Sequence, residues 1–300
     1  MAKKQKGTKS PTFIDLFAGI GGFHLAFHQN GAECVFASEW DVNARKSYER
    51  NFKKISPEIF TNGNFAGDIT KVNPKDIPTF DILTGGFPCQ PFSNAGFKKG
   101  FADTRGTLFH NIVEILKEKK PKAYFIENVR HLYSHDDGKT FETIKKTIQQ
   151  CGYTFDEAII RGTDFNVPQH RPRLYMVGFR KDLVPKDFIF SFPKKLSPKK
   201  RKTMSDIFGG TCSREIGFTL RVGGRGSGIH DRRNWDSYLV DGEVRRLTPI
   251  EGRRMMGFPS SYVFPVTESQ AMKQLGNAVI VPAISAVAAQ IIKVLEENDA

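Results

Sequence analysis

A glycine turn near the start of the chain, Gly19-Ile20-Gly21-Gly22, restricts the possible folds more than any other feature. It follows a short apolar run at residues 12–17 that reads as a strand, and it opens a stretch at 22–30 that reads as a helix. Strand, glycine turn and helix in that order form the geometry of a nucleotide-binding turn, because glycines let the backbone approach a ligand that a side chain would block. The dinucleotide fingerprint would need a third glycine at position 24, where this chain has His24, so NAD is poorly supported.

The alternation continues along the chain. A strand is expected at 34–38, a helix at 42–52 and a buried strand at Phe80-Asp81-Ile82-Leu83. Leu108, Ile112, Ile115 and Leu116 share one helical face. A strand at 123–126, a helix at 140–150 and a β pair formed by 153–160 and 174–179 follow. Repeated strand–helix units of this kind predict an α/β fold with a mostly parallel sheet covered on both faces. The pattern changes past residue 180, where Pro193-Lys194-Lys195 and Pro198-Lys199-Lys200-Arg201-Lys202 form a basic connector. Residues 209–245 are rich in Gly and Arg with short β-like pieces, and read as a smaller, irregular second domain. Thr248-Pro249-Ile250-Glu251 is a capping box with proline at the first helical position, predicting a helix that ends near Gly257. The last helix starts near Pro282, carries Ile284, Val287, Ile291 and Leu295 on one face, and is expected to pack back on the first domain.

Two sets of residues carry candidate chemistry. Glu39 lies 20 residues after Gly19 at the end of the second strand, where a carboxylate can accept from ribose hydroxyls. Trp40 beside it offers a flat apolar face, and Asp68 could accept from an adenine amino group; an ordinary strand-end acid would look the same. The second set centres on Cys89 in Gly85-Gly86-Phe87-Pro88-Cys89-Gln90-Pro91-Phe92-Ser93, just after the Phe80 strand. Loops at the carboxyl ends of strands are where α/β enzymes place reactive groups, although a lone cysteine is more often a small buried hydrophobe. The other cysteines, Cys34, Cys151 and Cys212, are scattered with no Cys-x-x-Cys pair or zinc-type spacing, so neither a metal nor a disulfide framework is indicated.

Charge points to a polyanionic partner. Lys and Arg exceed Asp and Glu by 45 − 32 = 13, and clustered cations release counterions from nucleic acid phosphates. Basicity alone is weak evidence, since solubility also accounts for it. No apolar run reaches membrane-spanning length and the N-terminus is polar and basic, so no membrane partner and a cytoplasmic location are expected.

The chain resembles the DNA (cytosine-5)-methyltransferases of bacterial or phage modification type. The resemblance is carried, in family order, by Asp15-Leu16-Phe17-Ala18-Gly19-Ile20-Gly21-Gly22-Phe23, Glu39-Trp40, Gly67-Asp68-Ile69 and the Cys89 loop. Glu127-Asn128-Val129, Gln169-His170-Arg171-Pro172-Arg173, Arg246-Leu247-Thr248-Pro249 and Gln274-Leu275-Gly276-Asn277-Ala278-Val279 complete it. It implies the Rossmann-like fold of S-adenosylmethionine-dependent methyltransferases with a β-rich target-recognition domain. It implies S-adenosylmethionine as cofactor, held by Phe17, Gly19, Gly21, Glu39, Trp40, Asp68, Ile69, Pro88, Leu108 and Asn277.

The same resemblance assigns the chemistry. Cytosine carbon-5 is too weakly nucleophilic to be methylated unaided, and addition of a thiolate at carbon-6 makes it enamine-like. Cys89 supplies the thiolate, Glu127 manages charge at ring nitrogen 3, and Arg173, with Arg171 nearby, holds the base carbonyl. The final proton acceptor is unassigned, and an ordered water suits it. The base must leave the duplex stack at a cost of about a few kcal/mol. The stretch 94–106 reads as a cationic loop that could close over DNA, and Gln90, Ser93, Lys98 and Arg105 are expected to meet it. Arg221 and Arg225, in the Gly-Arg run 221–233, are candidate DNA contacts; most arginines near DNA bind phosphate rather than read bases.

The expected organisation is a basic arm at 1–11, a catalytic and cofactor domain at 12–185 completed by 274–300, and target recognition at 186–273. Double-stranded DNA is the expected partner, a cognate restriction endonuclease a functional one, and the enzyme is expected to act as a monomer. Two alternatives stay open at this stage: a tRNA cytosine-5 methyltransferase, against which the missing Cys-Phe-Thr signature argues mildly, and a non-catalytic DNA-binding protein.

Overall fold

Each strand of a parallel sheet needs a crossover, and the helical stretches between the apolar runs supply it. The computed structural model describes residues 10–88, 108–197, 199 and 201–298. Its first half runs β1 (Thr12–Leu16), α1 (Gly22–Gln29), β2 (Glu33–Ser38), α2 (Val42–Phe52), α3 (Pro57–Thr61), β3 (Phe65–Ala66) and β4 (Ile82–Gly86). Then follow α4 (Leu108–Lys119), β5 (Ala123–Val129), α5 (Lys139–Gln150), β6 (Asp156–Ile160) and β7 (Arg173–Phe179). The remainder comprises α6 (Met204–Phe208), β8 (Ser237–Val240), β9 (Glu243–Arg246), α7 (Pro249–Met256), α8 (Glu268–Asn277) and α9 (Val281–Asn298). Cys89, Gln90, Ser93, Lys98 and Arg105 lie outside the described residues, as does most of the expected N-terminal arm.

The seven-stranded sheet has the order β3-β2-β1-β4-β5-β7-β6. β3 through β5 are parallel, while β7 runs antiparallel to both β5 and β6. The chain builds outward from β1 to β3 on one side and then returns to build from β4 on the other. The order therefore reverses at β1 and β4, which opens a crevice outside their carboxyl ends, the usual ligand position in such sheets. β5 extends to Val129, beyond the expected end at 126, because its pairing with β7 continues through Val129 opposite Arg173. Glu127 is thus held inside a paired strand rather than at a strand end.

The two faces of the sheet bury separate apolar clusters. Ile14, Leu16, Leu83, Tyr124 and Ile126 pack with Ile112 and Leu116 of α4 and Ile144 and Ile148 of α5. On the other face, Phe13, Phe125 and Val177 meet Phe27 of α1, Tyr48 of α2, and Ile284, Val287 and Ile291 of α9. Asn30 fastens α9 to the end of α1 by donating to the Ser285 hydroxyl at 2.9 Å. The same core continues into Met204, Phe208, Trp235 and Tyr238, so the apolar contacts of the 186–273 region are not a separate core. Within that region β8 and β9 form an antiparallel hairpin. Its turn residues Asp241 and Gly242 both take positive φ, as a two-residue hairpin turn requires. The Thr248 backbone donates to the Glu251 carboxylate at 2.9 Å, and α7 ends on Gly257 at φ 78, as the capping box predicts. Among the described residues no single helix is long and apolar enough to cross a membrane.

One polar cluster sits inside the second apolar layer. His24 is fully buried, with Nδ1 2.6 Å from the Tyr48 hydroxyl and Nε2 3.0 Å from the Ser56 hydroxyl, and its ring stacks on Phe52. Neutral imidazole has one donor and one acceptor, which the two hydroxyls can match. Burial pushes its pKa down to about 3, with the nearby His28 adding to the effect. The unfolded chain takes up this proton near the ordinary value of 6.5, the native protein only near 3, so stability falls as pH drops through that window. We expect the acid slope of urea midpoints to be shallower in His24→Gln than in wild type between those limits. The difference should not exceed about 1.4 kcal/mol per pH unit. Equal slopes would refute the assignment.

Candidate active site

The residues expected to hold the cofactor are assembled where β1, β2 and β4 end. After β1, Phe17 and Gly19 take φ of 54° and 55°, and Gly21 takes 79° as it enters α1. A side chain at Gly21 would run into the Phe52 ring, at 2.1 Å from an ideal Cβ, so both the backbone and the space demand glycine there. The Tyr262 hydroxyl, arriving from far along the chain, donates to the Ile20 carbonyl at 2.7 Å and props the turn.

Glu39 ties β2 to this turn. One carboxylate oxygen accepts from the Gly19 amide at 2.7 Å and the other from the Asp41 amide at 2.8 Å. Each oxygen keeps lone-pair capacity for a further donor. Burial raises its pKa, against backbone hydrogen bonds from Asp41, Gly19 and Trp40 that lower it. Asp41 caps α2 by accepting from Asn43 and Ala44, which fixes the corner that presents Trp40 with 80% of its surface exposed. The half-buried Asp68 accepts from the Thr70 hydroxyl and amide, which hold its carboxyl below the usual range. Ile69 is buried beside it, Pro88 is exposed after β4, Leu108 opens α4, and Asn277 is exposed at the end of α8. An ideal Cβ on Gly19 meets nothing nearer than the Phe17 carbonyl at 4.0 Å, and one on Gly67 meets nothing within 4 Å. Open space over the turn, a hydroxyl acceptor in Glu39 and a bare indole face fit S-adenosylmethionine.

The residues expected to meet the base are assembled between β4, β5 and β7. Glu127 stands beside Gly86 of β4 and opposite Tyr175 of β7, two places along from Arg173. Antiparallel pairing brings such diagonal neighbours within reach of long side chains. The Arg173 Nε lies 2.9 Å from Glu127 Oε1, and both groups are largely buried. Burial lifts the Glu127 carboxyl above its usual range, while Arg173 and then Arg171 pull it back. A side chain at Gly86 would press within 3.1 Å of the carboxylate, so glycine keeps the space in front of Glu127 free. The buried Asn128 donates from Nδ2 to the Phe87 carbonyl at 2.8 Å, fixing the peptide that leads to Pro88. The sequence reading passed over Asn128; its place inside the Glu-Asn-Val motif was the available signal.

Two sequence expectations need correction. Arg171 is not left free as a second base-holding cation, although its charge still acts on Glu127. Its guanidinium is buried and donates to the carbonyls of Leu220, Gly276 and Ala278 at 3.0, 2.7 and 2.7 Å. Arg225 is equally committed: it pairs with Glu268 and with Asp236, and donates to the Leu247 carbonyl at 3.1 Å. Asp236 is wholly buried and accounts for this, since a buried carboxylate must be compensated; Arg246 also approaches it at 3.4 Å. Arg221 differs, being exposed and without a hydrogen bond or ion pair to any described residue.

Comparison with known proteins identifies the family. Residues 11–222 and 213–293 match the family described as C-5 cytosine-specific DNA methylase. The chain is 43% identical to the Type II methyltransferase M.SsoII of Shigella sonnei over 94% of its own length and 80% of that protein's. It is 39% identical to the Type II methyltransferase M.HhaI of Haemophilus parahaemolyticus over 95% of both. It is 40% identical to M.HpaII of Haemophilus parainfluenzae over 95% of this chain and 90% of the other. Among solved structures, S. pombe Dnmt2 methyltransferase superposes with a TM-score of 0.72 at 22% identity, covering 96% of this chain and 99% of that one. A putative DNA modification methyltransferase encoded within an E. coli prophage gives 0.71 at 20%, covering 96% and 100%. The fold is that of the S-adenosylmethionine-dependent methyltransferases.

Trp40 offers a direct check on the cofactor side. Because it is 80% exposed, Trp40→Ala should leave the melting temperature within about 1–2 °C while raising the dissociation constant for S-adenosylmethionine about tenfold. Isothermal titration calorimetry decides it, and an unchanged affinity would remove Trp40 from the site.

Proposed function

Given that this chain belongs to the C-5 cytosine-specific DNA methylase family and is a DNA (cytosine-5)-methyltransferase using S-adenosylmethionine, we propose a division of labour among its residues. Phe17, Gly19, Gly21, Glu39, Trp40, Asp68, Ile69, Pro88, Leu108 and Asn277 hold the cofactor. When bound, S-adenosylmethionine supplies the methyl group that goes to carbon-5. Residues 12–185 with 274–300 form the catalytic unit, and 186–273 carry target recognition.

The carrying observation is the buried Glu127–Arg173 pair at 2.9 Å, facing Gly86 at the strand end that leads into the Pro88-Cys89 loop. In this reading the Cys89 thiolate adds to carbon-6 of a flipped-out cytosine, and the ring electrons shift towards carbon-5. Glu127, whose proton is retained to higher pH by burial, hydrogen-bonds ring nitrogen 3 and covers the charge that develops there. Arg173 orients Glu127 and stabilises charge on the base carbonyl. Loss of the carbon-5 proton to a base then lets the Cys89 sulfur leave, restoring the aromatic ring and the free thiolate. Gln90, Ser93, Lys98, Arg105 and Arg221 contact the duplex. The resemblance to Type II methyltransferases supports a cognate restriction endonuclease as functional partner. In this proposal the enzyme acts as a cytoplasmic monomer.

Bisulfite sequencing of unmethylated DNA after incubation with protein and S-adenosylmethionine should reveal protected cytosines within one short sequence. A duplex of that sequence carrying 5-fluorocytosine should trap wild type covalently but not Cys89→Ala. Glu127→Gln should fold normally and lower kcat by about 10²–10⁴-fold. Trapping of Cys89→Ala, or unimpaired turnover by Glu127→Gln, would refute the respective assignment.

A further inference from the structure

The Gln-His-Arg segment holds both backbone polar groups of one residue, Leu220. Gln169, fully buried, accepts the Leu220 amide on Oε1 at 3.0 Å, and Arg171 donates to the Leu220 carbonyl at 3.0 Å. The residue that follows is Arg221, exposed and without a side-chain partner among the described residues. Arg171 uses its second nitrogen on the Gly276 and Ala278 carbonyls, both at 2.7 Å, and these flank Asn277. The two gripped segments also touch each other: an ideal Cβ on Gly276 would lie 2.5 Å from the Arg221 carbonyl carbon and 2.8 Å from the Val222 amide. A rigid guanidinium fork can serve three carbonyls from two directions, which a lysine ammonium on a flexible stem cannot reproduce. Arg171 also holds φ of 33°, a left-handed conformation costly for any residue but glycine, and one that persists only where surrounding contacts over-determine it.

We propose that Arg171 is a positioning residue that sets Asn277 at the cofactor and Arg221 at the DNA in one fixed relation, through the three carbonyls it holds. This rests on the cofactor role of Asn277 and the DNA role of Arg221 proposed above. The joint lies behind both surfaces, so its loss weakens the binding of two unlike ligands while the reacting groups stay in place. Of the two gripped segments Gln169 bonds only the one at Leu220, its Nε2 donating instead to the Met255 carbonyl at 3.4 Å, so its loss affects DNA alone.

Steady-state and single-turnover kinetics of Arg171→Lys and Gln169→Leu test this, with hydrogen exchange at 219–222 and 276–278 as structural readout. Arg171→Lys should loosen both segments and raise KM for S-adenosylmethionine and for DNA about tenfold each. Its single-turnover rate at saturation should stay within about twofold of wild type. Gln169→Leu should raise KM for DNA only. A rise in one KM alone for Arg171→Lys, or a slowed single turnover with both KM values unmoved, would overturn the proposal. So would loosening of both segments without any kinetic change, which marks a purely structural tie. If Arg171→Lys does not fold, Gly276→Ala replaces it, since the added methyl forces the same joint apart, and the same two-sided rise is required. Asn277→Ala and Arg221→Ala serve as references for the cofactor and DNA sides. If they leave their own KM values unchanged, the underlying assignment of those two residues falls and the proposal falls with it.

Discussion

The reversal of strand order between β1 and β4 is the constraint on which the rest of the molecule depends. Parallel neighbours must be joined by crossovers, and a chain that builds first to one side and then to the other leaves a gap at the carboxyl ends of its two central strands. The glycine turn after β1 lines one wall of that gap. The peptide of Phe87 after β4, held by Asn128, lines the other. Two ligands of different chemistry can therefore meet over one sheet edge, with Glu39 and Trp40 on the proposed cofactor side and Glu127 and Arg173 on the proposed base side.

Charge burial gives this arrangement its precision. Glu127, Asp236 and Arg171 are all removed from water, and each would be prohibitive if left alone. Glu127 has Arg173 across the antiparallel β5–β7 pair, Asp236 has Arg225 and Arg246, and Arg171 has three backbone carbonyls. The compensation comes from segments distant in sequence, so these pairs also fix tertiary geometry. In the 186–273 region, with little regular structure, the buried Asp236 and the Trp235 indole, which donates to the Gly223 carbonyl at 2.9 Å, hold the glycine-rich loop.

Legibility in the sequence followed the range of the interaction. The capping box of Thr248 and Glu251 spans one helical turn, and the structure forms it. The strand–turn–helix at 12–30 and the pairing of 153–160 with 174–179 were readable because hydrophobic periodicity and glycine placement are local signals. The placement of Glu127 inside β5 was not readable, because the last residues of that strand are specified by β7 rather than by their own composition. The continuity of the core from the sheet into Met204, Trp235 and Tyr238 was hidden for the same reason.

The sequence by itself determined which chemistry is present: a glycine turn, a carboxylate 20 residues later, a thiol after a strand, and a Glu-Asn and an Arg-Pro-Arg in family order. It could not determine which arginine does what. Arg171, Arg173, Arg221 and Arg225 carry the same guanidinium, and nothing within a few residues distinguishes them. Tertiary structure separated them by supplying partners: a carboxylate for Arg173, distant carbonyls for Arg171, buried Asp236 and Glu268 for Arg225, and none among the described residues for Arg221. A side chain's identity fixes what it can bond. Only the fold decides which groups lie within about 3 Å of it, and so whether it is spent on the scaffold or left for a ligand.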